Sequence, residues 1–169
     1  MRLLTPAVKY WVCKSAPGFL YEAMECLGGN GYVEEGILAR HYREAPVNAI
    51  WEGSGNVMCL DVLRALSREA DAAAAILQAL AEETRGLPGA NEAATFIGKA
   101  FRRADGERVA RLAVEKLALL AATAALNQVS PPHAELFAAT RLAANHAGMY
   151  GAVDLEPKDI RALLDRALP

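Results

Sequence analysis

The residues most able to do chemistry sit together in the first third of the chain. Glu52 lies between Trp51 and Gly53 in the run Ile50-Trp51-Glu52-Gly53-Ser54-Gly55-Asn56, at the start of an expected helix. A carboxylate placed there has two readings. Acidic residues favour the first helical turn because they complement the positive end of the helix dipole. Alternatively, a glutamate held between an indole and a glycine-rich turn accepts a proton, its pKa set by burial against that dipole. Spacing alone leaves both open. Upstream, Gly28-Gly29-Asn30-Gly31 is a turn that reads either as a helix C-cap or as a place where backbone amides approach a phosphate or an adenine. It is not a GxGxxG fingerprint and no strand precedes it, which excludes a Rossmann site.

Other constellations are weaker. His41, His133 and His146 are far apart and lack carboxylate or cysteine neighbours at ligand spacing, so packing or exposure explains them better than a metal does. No serine stands in a GxSxG context. Lys99, Arg102, Arg103, Arg108 and Arg111 form a basic cluster interrupted by Asp105 and Glu107. Such a run is ordinarily a solvated helix face with internal ion pairs, although Lys99, Arg102 and Arg103 share one face and could meet phosphates.

These residues need a scaffold, and the composition says which kind. The 169 residues are 53% hydrophobic and only 7% aromatic, with Ala, Leu, Glu and Arg dominating long windows, which predicts an all-α protein with ample core. A formal charge of -2 gives no global pull toward nucleic acid or anionic membrane. Cys13, Cys26 and Cys59 are odd in number and unpaired in spacing, which argues against a disulfide framework or zinc site and for a reducing cytoplasm. No signal peptide or membrane span is legible.

The first helix is expected to begin at Thr5-Pro6, bury Val8, Trp11, Val12, Leu20, Ala23, Met24 and Leu27, kink at Pro17-Gly18 and end at Gly28-Gly29. A short helix over 34–43 should turn Ile37, Leu38 and Tyr42 inward. Pro46 closes it before an extended run over 47–50, and the next helix, capped by Ser54, proceeds through Leu66. Further helices are expected over 67–85, from Asn91 to about residue 104, and over 107–128 with Val109, Leu112, Ala113, Leu117, Leu120 and Ala124 on one face. One more starts at Ser130-Pro131-Pro132 and runs through His146, and a short one closes the chain over 158–167.

Three linked elements then lift the first third out of anonymity. Glu25 to Tyr32 carries E-x-L-G-G-x-G-Y, Tyr42 to Asn48 reads Tyr-Arg-Glu-x-Pro-Val-Asn, and Ile50 to Asn56 reads I-W-E-G-S-G-N. In this order and separation they resemble the C-terminal helical domain of acyl-CoA dehydrogenases, in detail the AidB-like branch of that family. The resemblance is tight over residues 1–66 and looser over 67–169, which divides the chain into a partial C-terminal bundle domain and a helical extension.

The resemblance implies an FAD-dependent oxidoreductase that desaturates an acyl-CoA thioester. Glu52 falls on the family's general base, in a largely dry pocket bounded by Trp51, the aromatic residue beside the flavin. Gly28 and Gly29 match the turn approaching the adenine half of a neighbouring subunit's FAD, Ser54 and Asn56 match cofactor contacts, and Arg43 matches the family arginine. A homo-oligomer, dimer or tetramer, follows. The family's N-terminal helices and β-domain precede the matched region, so the chain alone is expected to be inactive, with part of its apolar surface meant for absent domains. The rival expectation is a DNA-binding, alkylation-response module using the Lys99 to Arg111 cluster.

Overall fold

The computed structural model describes residues 3–103, 105–143 and 150–168, and every regular element among them is helical, as expected. The chain folds as α1 (Leu4–Cys26), α2 (Gly29–Tyr32), α3 (Ile37–Asn48), α4 (Gly55–Arg68), α5 (Ala70–Glu83), α6 (Ala90–Ala100), α7 (Ala110–Val129), α8 (Pro131–Phe137) and α9 (Pro157–Ala167). A 3-10 turn, Gly106–Val109, leads into α7, and a π turn, Ala138–Leu142, extends α8.

The middle strut is α7. Val114, Leu117, Leu119, Leu120, Thr123 and Ala124 are buried around its circumference, the pattern of a helix covered on most sides. Helices α1, α4, α5, α6 and α8 pack against it, and alanines such as Ala73, Ala93 and Ala113 let the backbones approach closely. One core joins Leu3 and Ala7 to Cys59 and Val62 of α4, Ile97 of α6 and Leu117 of α7, so packing runs across the junction between residues 66 and 67. The buried Thr84 and Thr123 hydroxyls donate 2.8 Å bonds to the carbonyls of Leu80 and Leu119, which satisfies them inside the core.

Several expected boundaries move. Helix α1 starts at Leu4 and runs through Pro17 to Cys26. The helix expected over 34–43 lies at Ile37–Asn48, because extended Gly36 (φ -98, ψ 156) is its N-cap and Pro46, in the last turn, forfeits only one bond. The expected strand-like run over 47–50 is therefore helix end and turn, with Ile50 N–H donating to Val47 O at 2.9 Å. The helix expected over 67–85 is the end of α4 plus α5, broken at Glu69 (φ -129, ψ 49). Helix α6 stops at Ala100, and the helix from Pro131 ends in the π turn at Leu142; His146 lies outside the described residues.

Burial also differs from expectation. Ala7 and Met24 are buried in α1, whereas Val8, Val12 and Leu27 are exposed; Ala39 and Ala45 are buried in α3, whereas Ile37 is 65% exposed and Tyr42 also faces out. Leu112 of α7 is exposed as well. Within α1 to α4 the small residues face the chain's own core, and many of the large apolar ones do not.

Candidate functional site

The turn joining α3 to α4 carries the candidate base. Glu52 has φ 53, the one positive φ of a non-glycine residue among those described, and Gly53 follows at φ 113. A left-handed glutamate is uncommon because its Cβ crowds the following carbonyl, so something must hold it. That something is Lys9 of α1, whose Nζ donates 2.7 Å hydrogen bonds to both Trp51 O and Gly53 O. The ammonium bridges the carbonyls on either side of Glu52 and ties the turn to the first helix.

The clamp fixes the backbone and leaves the side chains outside. Glu52 is exposed and Trp51 is 57% exposed, so the dry pocket implied by the family resemblance is not formed by this chain's described residues. The physical reason is local: the turn lies on the outside of the α1–α4 packing, and no described element crosses over it. Ser54 is the N-cap of α4, as expected, but its hydroxyl makes no capping bond; its carbonyl receives Met58 N–H at 3.0 Å. The Ser54 hydroxyl and the exposed Asn56 therefore remain available on the same rim as Trp51.

The glycine turn occupies the other end of α1. Gly28, at φ 57 and ψ -139, adopts a backbone that side chains disfavour, and a Cβ on Gly31 would come within 2.2 Å of Met24 O where α2 folds back on α1. Gly29 is exposed, with nothing within 4 Å of where its Cβ would stand. Eighteen residues of helix separate Lys9 from Leu27, about 27 Å at 1.5 Å per residue, so the two glycine-rich turns do not converge within one chain.

Arg43 is engaged inside the chain. Both of its terminal nitrogens bond the two carboxylate oxygens of Glu34, one at 2.8 Å, which ties the loop before α3 to that helix. The hydrogen bond from Arg43 holds the Glu34 carboxyl below its usual range, against the opposing effect of desolvation and with a smaller contribution from the guanidinium charge.

The basic cluster is not one face. Because α6 ends at Ala100, Arg102 and Arg103 lie beyond the helix that carries Lys99. Arg103 makes two 2.8 Å bonds to Asp105, Arg108 reaches the same carboxylate at 3.3 Å, and Arg102 donates to Gly98 O at 2.9 Å. Arg111 turns away to Tyr10, its guanidinium 5.8 Å from the ring centre. Among the described residues no cluster of His, Cys, Asp and Glu could hold a metal, and no helix is long and apolar enough to cross a membrane.

Lys9 is the site residue that sequence reasoning missed. A lone lysine in a first helix carries no motif, and its partners lie 42 and 44 residues away, so only the tertiary structure reveals it.

The comparisons with known proteins fall on this same region. Residues 2–67 match the family model described as acyl-CoA dehydrogenase, C-terminal domain. Over 69 residues the chain is 64% identical to AidB of Escherichia coli (strain K12), a stretch covering 41% of this chain and 13% of that protein. It is 46% identical over 67 residues to acyl-CoA dehydrogenase family member 11 of Caenorhabditis elegans, covering 40% of this chain and 11% of the relative. It is 41% identical over 49 residues to the mitochondrial short-chain specific acyl-CoA dehydrogenase of Bos taurus, 29% of this chain and 12% of that one. The chain thus spans about an eighth of the length of the curated relatives it matches. The resemblance stands over residues 2–67, which hold both glycine-rich turns and Glu52.

Proposed function

We propose that the chain is the C-terminal helical part of an acyl-CoA dehydrogenase-like oxidoreductase in which Glu52 removes the α-proton of an acyl-CoA thioester. The observation that carries this reading is the Lys9 clamp: a glutamate kept at positive φ by two hydrogen bonds to its flanking carbonyls is held for a purpose other than packing. FAD, when bound, supplies the acceptor for the hydride leaving the β-carbon. The exposed indole of Trp51, the uncommitted Ser54 hydroxyl and Asn56 suit a flavin rim, and uncrowded Gly29, with Gly28, suits close approach of the adenine half. With those turns about 27 Å apart along α1, each serves a different cofactor in a dimer or tetramer. Closure over Glu52 then comes from the rest of the parent protein, drying the carboxylate and raising its basicity. By the same reasoning the chain alone is inactive.

Three free cysteines and the absence of a spanning helix among the described residues support a cytoplasmic setting. The alternative, a DNA-binding, alkylation-response role through Lys99, Arg102 and Arg103, gains no observation of its own, since Arg103 and Arg108 share the carboxylate of Asp105 and Arg102 donates back to Gly98 O.

Glu52→Gln in the full-length parent should keep bound FAD and lose dye-coupled dehydrogenation of acyl-CoA. Undiminished dye reduction would remove Glu52 as the base, and a full-length protein that refuses FAD in titration would remove the enzyme reading altogether.

A further inference from the structure

A cavity of about 870 Å³ opens between α1, α7, α8 and α9, and the residues around Glu52 do not line it. Trp11 and Phe19 of α1, Leu119 and Leu126 of α7, Phe137 of α8 and Leu163 of α9 form its apolar walls, with Trp11 and Phe137 packed edge to face at 6.5 Å. Its size falls in the range of small-molecule sites, which combine apolar walls with a few polar groups that fix orientation.

Polar groups of that kind are present. His133 lines the cavity; its Nδ1 is 2.6 Å from Ser130 Oγ, while Nε2 is buried without a hydrogen-bond partner. Arg141 and Arg166 also line the space, and neither forms an ion pair among the described residues; Arg141 lies 5.9 Å from the centre of the Tyr150 ring. Among the described residues Glu115 is the single lining carboxylate, against Arg141 and Arg166 beside the apolar walls.

We propose that this cavity binds an amphiphile with an apolar chain and one carboxylate head. The chain lies against Trp11, Phe19 and Phe137, and the head meets the two guanidinium groups. A carboxylate matches the planar fork of arginine, whereas a neutral head would leave both guanidinium groups unpaired.

The chain contains two tryptophans, so in a Trp51→Phe background Trp11 alone reports from the cavity wall. Titration with dodecanoate, kept below micelle formation, should shift Trp11 emission to the blue saturably. Dodecanoate should bind about tenfold more weakly to Arg141→Gln or to the exposed-site variant Arg166→Gln, the weakening expected from one lost charge-assisted bond, and dodecanol, which forgoes both, about a hundredfold more weakly. Phe19 is 62% exposed, so Phe19→Glu should retain the helical circular-dichroism signal and abolish binding. The proposal is overturned by the absence of a saturable shift or by acid and alcohol binding equally with neither arginine mattering. Undiminished binding to folded Phe19→Glu would overturn it too.

Discussion

Replacing Lys9 by Met isolates what the clamp contributes to the Glu52 turn. Methionine keeps the unbranched stem and a similar helix propensity, so the change deletes little beyond the ammonium and its two 2.7 Å bonds to Trp51 O and Gly53 O. A hydrogen bond from a charged donor contributes about 1.5–3 kcal/mol when shielded. Here one bond is exposed and the other part-buried, and solvent screening reduces the pair to about 1–2 kcal/mol together. At roughly 2–4 °C per kcal/mol for a chain of this length, Lys9→Met should lower Tm by about 2–8 °C. The loss should be local as well as global. Freed of the bridge, the turn relaxes away from positive φ at Glu52, and amide exchange should accelerate over residues 50–54 and at Met58, whose N–H bonds Ser54 O, while the core of α7 keeps its protection. Thermal unfolding followed by circular dichroism, with hydrogen exchange read residue by residue, measures both. A Tm within about 1 °C of the parent together with unchanged exchange over 50–54 would refute the clamp.

Two further changes probe the same surface. Glu52→Gly should raise stability by up to about 1 kcal/mol in chemical denaturation, because glycine removes the left-handed Cβ conflict; a loss of stability would mean that the glutamate side chain supports the fold after all. The Glu34 carboxyl has a depressed pKa in the folded chain, so its contribution is present above the ordinary carboxylate pKa and is lost as pH falls through the depressed value. Arg43→Gln should return Glu34 to the ordinary range in an NMR titration and erase that part of the acid dependence. An unmoved Glu34 titration would contradict the Arg43 assignment.

What was legible in the sequence and what was not divides along a physical line. Helix-forming composition dictated the helical elements, and four of the six expected face residues, Ala113, Leu117, Leu120 and Ala124, are buried in α7, whereas Leu112 is exposed and Val109 lies in the turn before it. The break at Glu69 was invisible because Ser67, Arg68 and Glu69 include no helix breaker, and hydrogen bonds continue across it, from Glu69 N–H to Ala65 O and from Ala73 N–H to Glu69 O. The glycine motif and the Trp51-Glu52-Gly53 turn could be located because each packs its residues into one short contiguous run, although the turn expected over Gly28 to Gly31 has positive φ at Gly28 only and continues as α2; the Lys9 clamp could not, because it is made by tertiary placement. Burial was the least legible property. A large apolar residue predicts that something covers it, without saying whether the cover belongs to the same chain.

That distinction also separates the residues of the candidate site. Gly28 and Gly31 are explained from inside the chain, one by its backbone angles and the other by Met24 pressed against it, and Arg43 is explained by Glu34. Gly29, the Trp51 indole and the Ser54 hydroxyl have no such account: the first meets nothing, the second is largely bare and the third declines its helix cap. Residue choices that internal packing does not require are the ones an external partner can require. They fall at both ends of α1, too far apart for one small ligand to touch both. Under the proposed function, a site assembled from two such half-sites would need more than one copy of this helix, because neither end of α1 carries both motifs.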